Sequence, residues 1–366
     1  MEIGLDLGSY FVKASRLSLE GFPMTIQDGY SKSNYSINCL ERVDNGFLIG
    51  QDSSLSPVSD RFNLGFADTT HFTDQHDVVW HADTLLALIL KKIKADIDTL
   101  AIDSVNFAIP VDLSEVQKKV INSAVKLAKI NQCSLIEAPL AAIAHHRIHY
   151  LHKVLVLDWG YSGLKISIIN KDNSSYQIFK HEEIMNIGGK AWTQKLVDEI
   201  SKNFENRFGY TLPQLKNSST KLAEELKLDL SICEYATQDV IIDTELVNIT
   251  IARQAFEQSI KSDLGVGMEA IKKLIEASDY QLSQIEGIVL TGGCMNIPCV
   301  KQRLRETFTQ TKKWFDNDPL TAIAMGASAY NNSKVLNIHT TESIINTGQF
   351  LQQHSLVKNT AVNGVS

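Results

Sequence analysis

Hydrophobic residues of this chain form short strand-like runs and longer helix-periodic stretches in alternation. An apolar run over residues 2–7 is separated by a corner at Gly8 from a second run over 11–17. Two short apolar runs joined by such a corner predict a β-hairpin. The same pattern returns in the middle of the chain, over residues 154–158 and 164–169. The sequence therefore predicts two hairpins in widely separated places.

The two predicted hairpins match each other position by position. In each, an aspartate ends the first strand, a glycine follows two residues later, and a lysine and a serine recur at offsets of seven and nine. An internal repeat of about 150 residues predicts two similar lobes that arose by duplication. The matched pairs are Asp6 with Asp158, Gly8 with Gly160, Lys13 with Lys165, and Ser15 with Ser167.

The remaining segments alternate between the two periodicities. Ser114 and Gln117 have the spacing of a capping box, which predicts a helix that begins after Ser114. Alternation of this kind is typical of the α/β class. Helices are predicted over 82–97, 140–145, 191–204, 222–230, 267–277, 298–308 and 322–330, and strands over 105–109, 133–136, 240–242, 247–251 and 285–290. The resulting division is lobe I over 1–150, lobe II over 151–330, and a polar C-terminal tail or accessory element over 331–366.

Composition narrows the class of protein. The chain has 366 residues, of which 44% are hydrophobic and 21% charged, as in ordinary globular proteins. The net charge of -7 argues against a nucleic-acid partner, because phosphate backbones need a basic surface. No apolar run approaches the roughly 20 residues of a membrane span, and the N-terminus lacks the features of a signal peptide. Five scattered cysteines favour reduced thiols, so we expect a cytoplasmic protein.

The repeated Asp-x-Gly corners carry candidate chemistry. Glycine lets a phosphate approach the backbone amides, and a neighbouring aspartate can hold a hydrated divalent cation through its waters. Two such hairpins predict a clamp on a polyphosphate, although ordinary hairpin corners have the same residues. A third candidate is the turn at Gly292 and Gly293, which joins a buried strand to a helix. This turn suits either a ligand lying against the backbone or close packing of the strand on the helix.

Seven segments in a fixed order carry a family resemblance. They are 3–9, 137–142, 158–163, 187–189, a helix with Glu224, Lys227 and Ser231, 288–298, and 318–327. In this order they resemble the nucleotide-binding (ATPase) domain of the DnaK-type 70-kDa heat-shock chaperones, in the actin / sugar-kinase superfamily. The resemblance implies two ribonuclease-H-like lobes around a central nucleotide cleft.

The resemblance also implies the ligand and its contacts. The ligand is ATP or ADP, and Mg²⁺ accompanies it as a candidate that Asp6 and Asp158 would hold through water. The residues implied to bind the nucleotide are Asp6, Gly8, Ser9, Asp158, Gly160, Gly188, Gly189, Glu224, Lys227, Ser231, Gly292 and Gly293.

Departures from the family pattern bear on hydrolysis. The glutamate that helps to place the hydrolytic water is replaced by Ala138, and Glu137 lies one residue early. A family carboxylate near the metal falls at Lys165, and the catalytic lysine has no secure counterpart, with Arg61 the nearest. Glu137, Arg61 and Lys165 are therefore only weak catalytic candidates. Loss of a water-placing group commonly costs 10²–10⁴-fold in rate, so we expect weak or absent hydrolysis and leave open whether the protein is an enzyme.

The preferred function is a chaperone-like, ATP-binding switch or scaffold for a protein partner or co-chaperone-like factor. Residues 331–366 are too few to form the family's peptide-binding domain. One alternative is an active ATP hydrolase with chaperone activity. The other is an actin-like filament or a pilus or segregation scaffold, since the first motif with Val12 and Lys13 is also similar to those relatives. Oligomers or filaments therefore stay open.

Overall fold

The computed structural model describes residues 1–43, 46–50, 61–62, 71–73, 78–97, 102–172, 175–209, 218–242, 245–330 and 334–336. The strands are β1 Glu2–Leu7, β2 Phe11–Leu17, β3 Pro23–Ile26, β4 Ser36–Ile37, β5 Leu40–Val43, β6 Gly46–Ile49, β7 Arg61–Phe62, β8 His71–Thr73, β9 Val79–His81, β10 Ser104–Ile109, β11 Gln132–Glu137, β12 Lys153–Trp159, β13 Gly163–Asp172, β14 Ser175–Met185, β15 Tyr235–Ile242, β16 Glu245–Ala252, β17 Gly287–Thr291, β18 Lys313–Phe315 and β19 Lys334–Leu336. The α-helices are α1 Ala82–Asp96, α2 Glu115–Leu127, α3 Ala138–His145, α4 Gly189–Phe208, α5 Ser218–Leu230, α6 Arg253–Glu276, α7 Pro298–Thr307 and α8 Ala322–Ala329, and short 3₁₀ helices cover Leu282–Gln284 and Gly293–Asn296.

The chain folds into two compact units. The first consists of Met1–Ile148 with Thr321–Ser366, and the second consists of His149–Leu320. The main sheet of the first unit has the strand order β19-β11-β10-β1-β2-β3, with β4 also paired to β2. The sheet of the second unit has the order β14-β13-β12-β17-β18.

The two sheets share one topology. In the first unit, β1 pairs antiparallel with β2 and parallel with β10. In the second, β12 pairs antiparallel with β13 and parallel with β17. An antiparallel hairpin beside parallel strands is the arrangement of a ribonuclease-H-like lobe. The expected α/β fold and the repeat of the hairpin are therefore confirmed.

Each unit has its own hydrophobic core around its sheet. In the first, Ile3, Leu5 and Phe107 are fully buried and belong to the same core as the apolar side chains of α1. In the second, Leu155, Leu157 and residues of α4 and α6 form the core. Strands that are covered on both faces read as continuous apolar runs, which is why β1 and β12 could be recognised from sequence.

The helix α8 packs on the first unit and so differs from its predicted place in lobe II. A Cβ at Gly4 of β1 would lie 2.3 Å from the backbone nitrogen of Ser328 and 2.4 Å from the Ala324 carbonyl oxygen. The Ser15 hydroxyl of β2 also donates to the Ala324 carbonyl, at 2.5 Å. These small residues let the helix backbone approach β1 and β2, and this long-range contact decides its place.

Helix α6 is longer than the sequence predicted. It begins at Arg253, whereas the periodicity indicated a start at Gly267. The first half buries Phe256, Ile260 and Leu264 at intervals of four residues among polar neighbours. The helix continues through Gly267 because that residue lies against Trp159, and a Cβ there would be 2.5 Å from its ring. Packing here outweighs the low helix propensity of glycine.

The capping box predicted at Ser114 is confirmed. The Ser114 hydroxyl accepts from the Gln117 amide at 3.2 Å, and the Gln117 side-chain oxygen accepts from the Ser114 amide at 2.9 Å. Of the predicted tail 331–366, residues 334–336 form β19 beside β11, and the others lie outside the described residues.

Candidate functional site

The second hairpin presents an aspartate at the end of a buried strand. Asp158 lies on β12 directly opposite Lys165 of β13. The turn that follows is closed by a hydrogen bond from the Gly160 amide to the Gly163 carbonyl, at 2.9 Å. Lys165 contacts Glu183 of β14 at 3.5 Å, with both side chains half-exposed. Exposed pairs of this kind stabilise little.

Trp159 anchors this hairpin in the core. Its ring is fully buried, and its indole nitrogen donates to the Ile187 carbonyl at 2.6 Å. The ring also lies 5.4 Å from that of Trp192, between centroids. Because the next residue is fixed in this way, the position of Asp158 at the start of the turn is fixed as well.

The N-terminus of α4 binds the turn after β12. The Gly189 amide donates to the Gly160 carbonyl at 3.0 Å, and the Lys190 amide donates to the Tyr161 carbonyl at 2.8 Å. A Cβ at Gly188 would lie 2.4 Å from the Gly160 carbonyl oxygen, so only glycine permits this approach. Gly188 and Gly189 thus lie beside Gly160, as the predicted site requires, although the Gly189 amide is already used inside the protein.

The turn after β17 closes on the same hairpin from another direction. Gly292 has φ of +92°, and a Cβ there would lie 2.4 Å from the Trp159 carbonyl oxygen and 2.6 Å from Asp158 Oδ1. Cys294 follows, and its thiol donates to the Gly160 carbonyl at 3.3 Å. Burial raises the pKa of the Cys294 thiol to about 12, and the charges of Lys227, Glu224 and Asp158 also act on it.

Buried polar side chains lie directly behind Gly189. The Lys227 ammonium donates to the Gly189 carbonyl at 3.1 Å, to the Thr193 hydroxyl at 2.7 Å and to Glu224 Oε2 at 2.7 Å. The Thr193 hydroxyl itself lies 2.5 Å from Glu224 Oε2. Ser231, one turn further along the chain, donates to the Lys227 carbonyl at 3.0 Å. The sequence analysis missed Thr193, because threonine four residues after a glycine pair is an ordinary helix residue.

The first hairpin has the same strand pairing as the second, but its ion pair joins different residue types. Lys13 lies opposite Asp6, and the ammonium nitrogen is 2.7 Å from the carboxylate. The buried Asn38 amide group donates to the Gly8 carbonyl at 2.8 Å, and its backbone amide donates to the Tyr10 carbonyl at 2.7 Å. The two hydrogen bonds of Asn38 therefore stabilise the corner that contains Ser9. The charge of Asp6 is balanced by Lys13 within the hairpin.

Comparison with known proteins identifies the family. The family model described as Hsp70 protein matches residues 66–343. This chain belongs to the Hsp70 family. It is 25% identical to the chaperone protein dnaK1 of Synechococcus elongatus and to the chaperone protein DnaK 3 of a Synechococcus strain, each over 72% of this chain and 43% of the relative. It is also 25% identical to the heat shock 70 kDa protein 14 of Macaca fascicularis, over 73% of this chain and 54% of the relative. The chain spans about half the length of these Hsp70 relatives.

The weak catalytic candidates taken from the Hsp70 pattern occupy three different places. Glu137 ends β11 and precedes α3, and it adds to the effect of burial in raising the pKa of Tyr330. Arg61 pairs with Glu41 in the β5–β7 ladder, and its side chain lies outside what the structure describes. Lys165 makes the contact with Glu183 given above. Their catalytic roles stay predictions.

None of the described helices is both long and apolar enough to cross a membrane. Among the same residues, no group of three or more His, Cys, Asp or Glu side chains is close enough to hold a metal ion.

Proposed function

We propose that this Hsp70-family chain binds ATP or ADP and acts as a nucleotide-dependent switch or scaffold for a protein partner, with weak or absent hydrolysis. The observation that carries the proposal is the close packing of Gly188 and Gly292 against the backbone of the hairpin that contains Asp158. At both Gly188 and Gly292 a single methyl group would collide with the hairpin backbone. Such close backbone packing restricts the conformation of the turn, and a phosphate site built from backbone amides requires a fixed backbone.

The surroundings of this turn suit a ligand that lies against the backbone. A Cβ at Gly160 would meet only Asp158 Oδ1, at 3.8 Å, and a Cβ at Gly293 would meet only Leu320, at 3.5 Å. Both glycines therefore have room beside them within the described part of the chain. Mg²⁺, if it accompanies the nucleotide, would be held through water by Asp158 and Asp6 and would neutralise phosphate charge. Gly8 and Ser9 at the first corner complete the proposed phosphate contacts.

We propose weak hydrolysis because a lysine lies opposite each of the two aspartates. Lys13 is ion-paired with Asp6, and Lys165 stands in the ladder position opposite Asp158. A lysine beside a carboxylate competes with a hydrated metal ion and can neutralise a phosphate as a point charge. Ala138 lacks the carboxylate that would place a water molecule, and phosphoryl transfer depends on such positioning.

Membership of the family supports the proposed partner role. The curated relatives are named as chaperone and heat-shock proteins. We propose that nucleotide shifts this chain between conformations that differ in affinity for a co-chaperone-like factor, since a ligand moves an equilibrium only through differential affinity.

Titration calorimetry with ATP and ADP, with and without Mg²⁺, tests the proposal. Asp158→Ala should lose nucleotide affinity, while Asp172→Ala, at the far, exposed end of β13, should retain it. A steady-state phosphate assay on the wild type should show little metal-dependent release. Phosphate release at rates typical of an ATPase would instead favour the active hydrolase. Titrations without heat and without thermal stabilisation by either nucleotide would exclude nucleotide binding altogether.

A further inference from the structure

Lys13, Lys92 and Lys227 have side chains of which only 8–11% is exposed, but they differ in their partners. An ammonium group has three protons to donate. Lys92 and Lys227 each have three acceptors for these protons. For Lys13 the described part of the chain supplies one partner, the Asp6 carboxylate, whose Oδ2 lies 2.7 Å from the ammonium nitrogen. Because a buried charge is costly unless it is paired and hydrogen-bonded, Lys13 has room for a further acceptor.

The Lys13 ammonium lies at the corner that joins β1 to β2. A Cβ at Gly8 would be 2.9 Å from Lys13 Nζ, so the glycine leaves the space that the ammonium occupies. The carbonyl oxygens of Gly8, Tyr10 and Phe11 accept hydrogen bonds from Asn38 or from within the corner, and none of the three bonds to Lys13. The acceptor that the ammonium lacks would therefore come from a bound ligand.

The charges at this corner decide which ligand fits. The ammonium already contacts Oδ2 of Asp6. A hydrated divalent cation at the other carboxylate oxygen would lie close beside the ammonium, and two positive charges at short range repel each other. The first corner therefore does not fit Mg²⁺. It fits an anionic group whose oxygen atoms accept the remaining protons of Lys13, and a phosphate is such a group.

We propose that Lys13 binds a phosphate group of the nucleotide at the first corner and takes the place of a divalent cation there. One proton of the ammonium stays on Asp6, and the other two are donated to phosphate oxygens, so that one cation joins the carboxylate to the phosphate. The proposal rests on the nucleotide binding proposed above. Lys165 of the second hairpin differs, because it is half-exposed and contacts Glu183. Any Mg²⁺ that accompanies the nucleotide would then depend on Asp158.

Titration calorimetry on the full chain with ADP and adenosine, each in Mg²⁺ and in EDTA, tests the role of the metal. Replacing Mg²⁺ by EDTA should change the Kd of the wild type for ADP by less than about threefold, because Lys13 supplies the positive charge. ADP binding that needs Mg²⁺ would overturn the proposal and leave the proposed function intact. If neither ADP nor adenosine binds in either condition, the proposed function fails and this proposal fails with it.

Lys13→Met tests the residue itself, since it keeps the length of the side chain and removes the charge. In EDTA it should weaken ADP about tenfold or more, because hydrogen bonds to charged groups are the strong ones. Adenosine has no phosphate and should bind as in the wild type. Mg²⁺ should restore part of the lost ADP affinity, because the Asp6 carboxylate is then free for a hydrated cation. Lys118→Met is the control, since it removes an exposed ion pair with Glu115 in α2 and should change neither ligand.

Two results with Lys13→Met would overturn the proposal. One is an ADP affinity equal to that of the wild type in EDTA. The other is an equal loss for ADP and adenosine, which would show general damage and not a phosphate contact. If Lys13→Met does not fold, the double variant Asp6→Asn with Lys13→Met leaves no uncompensated charge, and it should show the same loss of ADP affinity in EDTA.

Discussion

The Lys13 ammonium lies 2.7 Å from the Asp6 carboxylate across the first hairpin, whereas the matching lysine of the second hairpin, Lys165, contacts Glu183 at 3.5 Å. The first pair is mostly buried, with side-chain exposures of 9% and 14%, and the second is 42% exposed on both sides. The two hairpins thus have the same residues in the same register and different electrostatics.

This difference predicts unequal costs for removing the two lysines. Lys13→Met should lower the free energy of unfolding by roughly 3 kcal/mol, because it leaves a buried carboxylate without its cation. Lys165→Met should cost at most about 0.5 kcal/mol, because solvent screens the exposed pair. Urea unfolding of both variants measures these values. Equal losses would contradict the expected effect of the different burial of the two ion pairs.

The turn at Gly292 predicts a strong effect of a single methyl group. Gly292→Ala would place its Cβ 2.4 Å from the Trp159 carbonyl oxygen, at a φ that only glycine adopts easily. We expect a loss of about 3 kcal/mol in unfolding free energy, together with the loss of any nucleotide binding.

Gly265→Ala is the control for this substitution. Gly265 is an exposed residue of α6, and a Cβ there would meet nothing within 4 Å. Alanine should therefore stabilise the helix by about 0.5–1 kcal/mol. Thermal and urea unfolding measure both effects, and a neutral Gly292→Ala would argue against the tight packing of this turn.

A buried ion cluster in the first unit predicts a dependence of stability on pH. Lys92 of α1 lies 2.6 Å from Asp28 and 2.6 Å from Asp96. Burial alone would raise the pKa of Asp28. Hydrogen bonds from Lys92, Ser36 and Ser31 outweigh this effect and lower the pKa to about 2. A carboxyl group whose pKa is lowered in the folded state stabilises the fold at pH values above its pKa in the unfolded state. This stabilisation is lost as the pH falls toward the pKa in the folded state.

Asp28→Asn should accordingly destabilise the wild-type fold by roughly 2 kcal/mol at pH 7, and by about half of that at pH 3. Burial raises the pKa of Asp96, so that group contributes in the opposite sense, with its stabilisation present at low pH and lost as the pH rises through its folded value. Urea midpoints for both proteins between pH 3 and 7 provide the test. A constant difference across this range would show that the contacts of the cluster do not lower the pKa of Asp28.

The cysteines predict a ranking of thiol reactivity. Cys233 is exposed three residues after the end of α5, while Cys133 and Cys294 are buried and have their pKa raised to about 12 by burial. Since the thiolate is the nucleophile, maleimide should label Cys233 first in the native protein. Mass spectrometry of the labelled peptides over time measures the order, and labelling in denaturant is the control. Rapid native labelling of Cys294 would show that the turn around Gly160 opens easily.

Local pattern was enough to predict the two hairpins and most of the helices. An offset of seven residues between Asp6 and Lys13 places them opposite each other in any hairpin with this corner, and the same holds for Asp158 and Lys165. The capping box at Ser114 was equally readable, because all of its atoms lie within four residues. The order of the motifs then indicated the family, which the comparison confirmed.

By itself, then, the sequence determined what depends on neighbouring residues, namely the hairpins, their register and the glycine turns. The tertiary structure decided the rest. Only the packing of small residues such as Gly4 shows that α8 belongs with the first unit. Only the fold brings Lys227 to Gly189, 38 residues away. These contacts join segments that are far apart in the chain, and the partner that a buried charge selects depends on which groups the whole core brings within reach.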